Sequence, residues 1–148
     1  REDMLAAARW LQAHPRGNRR MGVVGFCYGG AIANFLATRL PGLKAAVPFY
    51  GSAPPVEAVP AIKAALLVVL AADDPRVNAT WPDYEAALKA HGKRYRLLQP
   101  PGTVHGFHND TTPRYDKAAA EEAWERMLGL FYSTLGLEEL PFTPSTEQ

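Results

Sequence analysis

Cysteine is almost absent from this sequence. A single one, Cys27, stands in 148 residues. No disulfide can form within the chain, and the lone thiol is left either buried and inert or reactive. A surplus of charge is missing too: sixteen Lys and Arg against fifteen Asp and Glu leave a formal net charge of +1. That balance excludes the broad basic footprint of a nucleic-acid binder. No apolar run is longer than residues 64–72, far short of the ~20 residues needed to cross a bilayer, so no membrane partner is expected. There is no internal repeat, no linker between domains and no signal-peptide pattern. The chain opens on Arg1 and already reads as a helix start, so a mature, cleaved or truncated product is expected. Such an end leaves location open, with the cytoplasm favoured.

What is present suits one compact domain. Met4, Leu5, Ala8 and Leu11 recur at helical spacing, which predicts an amphipathic helix over residues 2–13. Residues 21–26 read as a short apolar strand, and 29–40, small or apolar with few charges, as a helix packed on a sheet. Residues 44–50 read as a second strand. Residues 65–70 are apolar without alternation, as in a strand covered on both faces. Thr80, with Pro82 and Asp83 behind it, predicts a capped helix that ends near His91, with Gly92 at the left-handed stop. A fourth strand is expected over 95–99. A last helix follows over 115–135, with Ala120, Trp124, Met127, Leu128 and Phe131 on one side. The segment from Gly136 onward, rich in Pro, Thr, Ser and Glu, reads as a loose tail. Strands alternating with helices predict an α/β domain over residues 1–136, with a mainly parallel sheet and helices on both faces.

The chemistry centres on Gly25-Phe26-Cys27-Tyr28-Gly29, between an apolar strand and a helix. This is the layout of a nucleophile elbow, in which a reactive side chain sits on a sharp strand-to-helix turn. Its neighbours two residues away must be small; Gly25 and Gly29 meet that need and Gly30 adds room. The helix N-terminus favours a thiolate and a developing oxyanion, and the Tyr28 N–H is the natural first oxyanion donor. Read alone, the pentapeptide also fits a buried structural cysteine in a tight turn.

A cysteine nucleophile with an ordinary pKa of about 8.5 needs a base. Elbow enzymes order their triads nucleophile, acid, histidine along the chain. Asp74 follows the third strand and His105 follows the fourth, both where the carboxyl ends of parallel strands place functional residues. Asp73 rivals Asp74, and His108 rivals His105. His14 and His91 lie near helix C-termini, where capping accounts for them.

Three segments together resemble the dienelactone hydrolase family: Gly25-Phe26-Cys27-Tyr28-Gly29-Gly30, Asp74-Pro75-Arg76-Val77-Asn78 and Pro101-Gly102-Thr103-Val104-His105-Gly106-Phe107. Tyr50-Gly51 is similar as well. The resemblance runs from about Arg1 to Leu135. It implies a partial, N-terminally shortened α/β-hydrolase fold and a Cys27–Asp74–His105 triad. It also implies hydrolysis of a small ester or lactone through a thioester, with no cofactor and no metal. Arg76, Phe107, Asn109 and Arg114 are the substrate-binding candidates. Two departures stand out. Where the family places an arginine four residues after its histidine, this chain has Asn109, so Arg114 is the candidate substitute or the substrate differs. The family's N-terminal part, with its first strands and second oxyanion donor, is absent.

Without those strands, residues 21–26 would be an uncovered apolar edge, which is a pairing hazard. A homo-oligomer that completes the sheet through this strand is therefore expected. Two other functions stay open: a non-catalytic α/β fragment serving as an oligomerisation or binding module, and a promiscuous small-acyl esterase or thioesterase.

Overall fold

The computed structural model describes residues 1–136; the expected tail lies outside the described residues. Four strands form one parallel sheet in sequential order: β1 (Met21–Phe26), β2 (Leu43–Phe49), β3 (Ala65–Val69) and β4 (Tyr95–Leu98). Five α-helices accompany it: α1 (Glu2–Ala13), α2 (Tyr28–Arg39), the short α3 (Pro75–Asn78), α4 (Trp81–Ala90) and α5 (Lys117–Leu135). A 3-10 helix, Val56–Ala61, lies between β2 and β3.

β3 shows why its apolar run does not alternate. Leu66, Val68 and Leu70 pack with α2 and α4 residues such as Leu36, Tyr84 and Leu88. Leu67 and Val69 pack with Ala119, Ala123 and Met127 of α5 on the opposite face. Both faces are covered, so every position is apolar. The α2–α4 layer carries a buried polar link: the Tyr84 hydroxyl donates to Asn34 Oδ1 (3.1 Å), and Asn34 Nδ2 donates to the Ser52 carbonyl (3.0 Å). Every polar atom in that link has a partner, which removes the desolvation cost of burying it.

Three local expectations need correction. Thr80 makes no side-chain cap bond; its backbone is already helical, because α3 runs almost straight into α4. Its hydroxyl instead donates to the Val77 carbonyl and accepts from the Ala53 N–H. On α5, Trp124 is 44% exposed, and the buried stripe is Ala119, Ala120, Ala123 and Met127, with Asp116 capping the helix. On α1 only Leu5 is buried, because the helix packs chiefly on α2 beside an edge strand, with no further strand beneath it. That edge strand is β1, where Val24 (38%) and Phe26 (37%) are exposed while β2 and β3 are almost wholly buried. No helix among the described residues is long and apolar enough to cross a membrane.

Candidate active site

The elbow forms where the sequence places it. Cys27 has φ 56° and ψ −118°, a conformation that costs a non-glycine residue about 1–3 kcal/mol. Its N–H is anchored on the Phe49 carbonyl (3.0 Å), and its own carbonyl accepts from Gly30 and Ala31. The N–H groups of Tyr28 and Gly29, the first two of α2, have no intrahelical acceptor and point out of the helix start. Tyr50, at the end of neighbouring β2, is also held at positive φ (35°). Two strained residues at adjacent strand ends mark one locality.

The glycines divide differently from expectation. A Cβ on Gly25 would run into the Gly29 carbonyl, and one on Gly30 would stand 2.5 Å from the Phe49 oxygen and 2.9 Å from Gly51 Cα. Gly29 has open space around it. The close approaches are therefore β1 to the first turn of α2, and α2 to the strand beside it. Gly29 is not sterically required.

Asp74 is 7% exposed and follows β3. Its loop is clamped: Asn78 Nδ2 and Gln99 Nε2 both donate to the Ala71 carbonyl, and the Ala72 N–H donates to Thr103 Oγ1. Asp73 donates its N–H to the Thr103 carbonyl, which ties this loop to the one carrying His105. The two loops bring Asp74 Oδ2 within 2.5 Å of His105 Nδ1. Of the rivals, Asp73 is exposed and makes no ion pair among the described residues. His108 stacks among Phe26, Phe49 and Trp124, where burial pushes its pKa down against the opposing charge of Asp110. His14 and His91 sit at the C-caps of α1 and α4.

Cys27 is solvent-accessible, which removes the buried structural reading. Two clefts meet at it. One, of about 340 Å³, is walled by His105, Asn109 and Arg114. The other, of about 240 Å³, is walled by Tyr28, Ser52 and Arg76. Tyr50 lines both. Its ring lies 4.9 Å from that of His105, and its hydroxyl pKa is pushed up to about 12, first by burial and then by nearby Cys27. It stays protonated throughout the neutral range. Arg114 lies across the Gly106 backbone beside His105. Partial burial pushes the Cys27 thiol up, Arg114 opposes this, Asp74 adds to it and Arg76 opposes it. No hydrogen bond joins Cys27 to His105 among the described residues.

Phe107 does not fit a substrate-binding place: it is fully buried, packs edge-on to Tyr50 and lines neither cleft. Asn109 lines the first cleft, but its Oδ1 already accepts from the Thr111 N–H and hydroxyl. Tyr50 is the site residue that sequence reasoning undervalued. Its signal was its place at the carboxyl end of a parallel strand.

The family model for the dienelactone hydrolase family matches residues 1–135. A Saccharolobus solfataricus protein, provisionally named a carboxymethylenebutenolidase, is 41% identical over 85% of this chain and 48% of its own length. A Klebsiella pneumoniae subsp. pneumoniae structure, provisionally named a dienelactone hydrolase, superposes with TM-score 0.78 at 30% identity, over 87% of this chain and 58% of that one. A dienelactone hydrolase-like promiscuous phosphotriesterase from metagenomic libraries superposes with TM-score 0.78 at 29% identity, over 88% of this chain and 59% of that one. The chain thus spans about half the length of the relatives it matches. On the family model and on the α/β fold shared with these structures, the chain belongs to the dienelactone hydrolase family.

Proposed function

We propose that this chain hydrolyses a carboxylic ester or lactone, with Cys27 as nucleophile, His105 as general base and acid, and Asp74 as the group that orients the imidazole. The reading rests on one observation: His105 Nδ1 is held on Asp74 Oδ2 at 2.5 Å, and His105 lines the same cleft as a strained, exposed Cys27. Family membership and the carboxymethylenebutenolidase name of a relative support it.

The steps follow from the arrangement. With Nδ1–H on Asp74, His105 keeps Nε2 free to accept a proton. Cys27 Sγ attacks the carbonyl carbon while its proton passes to Nε2. The carbonyl oxygen becomes an oxyanion facing the Tyr28 N–H, whose donation is worth about 10²–10³ in rate. As the C–O bond breaks, the imidazolium returns its proton to the leaving oxygen and a thioester remains. Water, deprotonated by Nε2, then attacks the thioester, releasing the carboxylic acid and the thiol. Arg114 in one cleft and Arg76 in the other favour substrates that carry a negative charge, with Asn109 at the rim of the Arg114 cleft. Phe107 packs edge-on to Tyr50 from the core.

The raised thiol makes the test specific. Iodoacetamide is expected to abolish ester hydrolysis with one equivalent on Cys27. Its rate should climb with pH to a midpoint above that of an ordinary cysteine, about 8.5. Full ester hydrolysis after complete alkylation of Cys27 would refute the assignment.

We also infer that the open edge of β1 pairs with β1 of a second copy. Its exposed Val24 and Phe26, and an outer backbone edge that pairs with no strand among the described residues, support this. Sedimentation at micromolar concentration should show a dimer; a well-folded monomer would overturn it.

A further inference from the structure

At the end of the sheet opposite Cys27 lies a groove that the chemistry above does not use. It runs between α5 and the amino-terminal ends of β3 and β4, with a volume of about 410 Å³, within the range of small-molecule sites. Strand alternation builds it. Tyr95 turns to the α4 face and bonds Glu85, so Arg94 and Arg96 turn to the α5 face. Leu67 of β3 and Leu130 of α5 give it an apolar floor.

Two features suit it to a ligand. Gly129 stands on the helix face that closes the groove, and a Cβ there would meet no atom within 4 Å, so space is left where a side chain would fit. The charge is one-sided. No carboxylate lines the groove. Arg126 is taken by Glu122, whereas Arg94 and Arg96 make no ion pair or side-chain hydrogen bond among the described residues. Two unpaired guanidiniums, two residues apart on one face, can bond a planar oxyanion in the bidentate manner.

We propose that this groove binds a small amphiphilic carboxylate, its head on Arg94 and Arg96 and its apolar body on Leu67 and Leu130 beside Gly129. Two free cations in a concave site suit one head group, not a polyanion. The site shares no residue with the clefts at Cys27 and does not depend on the hydrolase reading.

Octanoate, octanol and acetate, titrated by calorimetry and by amide shifts at Gly129 and Leu130, test it. Octanoate should bind and shift both amides. Octanol should bind at least ~10-fold more weakly, since it brings no charge to the two guanidiniums, and acetate not measurably, since it brings no apolar body to Leu67 and Leu130. Arg94→Ala with Arg96→Ala should weaken octanoate at least ~10-fold, and Gly129→Leu should abolish its binding by filling the groove. All these positions are exposed, so the variants should melt like the parent. Four results would overturn the site: octanol as tight as octanoate; acetate as tight as octanoate; octanoate binding that survives both variants and is lost in Arg114→Ala; or binding only to phosphatidylglycerol vesicles.

Discussion

Cys27→Ala and His105→Ala are each expected to remove nearly all ester hydrolysis, on the order of 10³-fold or more, and the double variant should be scarcely worse than either single one. Groups that act as a unit lose their effect together. Without the thiol there is no thioester; without the imidazole the thiol, raised by burial, stays protonated and the leaving oxygen receives no proton. Asp74→Asn should fall in the same range, since an amide at 2.5 Å from Nδ1 would select the other tautomer and turn the base away. Initial rates on a small activated ester measure all four variants. Multiplying losses would mean that the residues act separately, and the triad assignment would fail.

Gly30→Ala should destabilise the fold strongly, against the usual gain from replacing a helical glycine. Alanine ordinarily adds about 1 kcal/mol in a helix. At Gly30 the new methyl would stand 2.5 Å from the Phe49 oxygen and 2.9 Å from Gly51 Cα. Both are backbone atoms, so no side chain can swing away, and helix and strand must separate. Overpacking of this kind costs about 1–3 kcal/mol or more, and it displaces the Cys27 N–H from its anchor on Phe49. Gly29→Ala is the matched control: with open space around it, it should be neutral or stabilising. Urea unfolding should therefore shift to lower denaturant for Gly30→Ala and stay level or rise for Gly29→Ala. Equal shifts would show that the close approach of α2 to β2 does not govern the elbow.

The parts of this molecule that were legible in the sequence are those with a local cause. The buried run of β3, the glycine stop at Gly92 and the tight approach at Gly25 each follow from a short pattern. So does the placing of Asp74 and His105 after successive strands, where they meet. What escaped depends on contacts distant in sequence. Thr80 looks like a cap, yet Asp74 starts a short helix just upstream and leaves Thr80 helical. Gly29 and Gly30 are indistinguishable in sequence; only the position of β2 makes one of them essential in shape. Phe107 sits in the motif but turns inward, whereas Tyr50, a residue at the end of an apolar strand, faces both clefts. Trp124 fits the apolar stripe of α5 by spacing, but lies over His108 near the solvent.

The most direct test of the central claim is the mass of the chain during turnover. Quenched in acid while hydrolysing an activated ester, the protein should carry one acyl group, removable by hydroxylamine and located by digestion on the peptide containing Cys27. As the only cysteine in the sequence, it leaves no ambiguity about the sulfur involved. The adduct should vanish in Cys27→Ala and accumulate in burst-phase proportion in the parent. Turnover with no adduct, or an adduct that persists without Cys27, would contradict a thioester mechanism at this elbow.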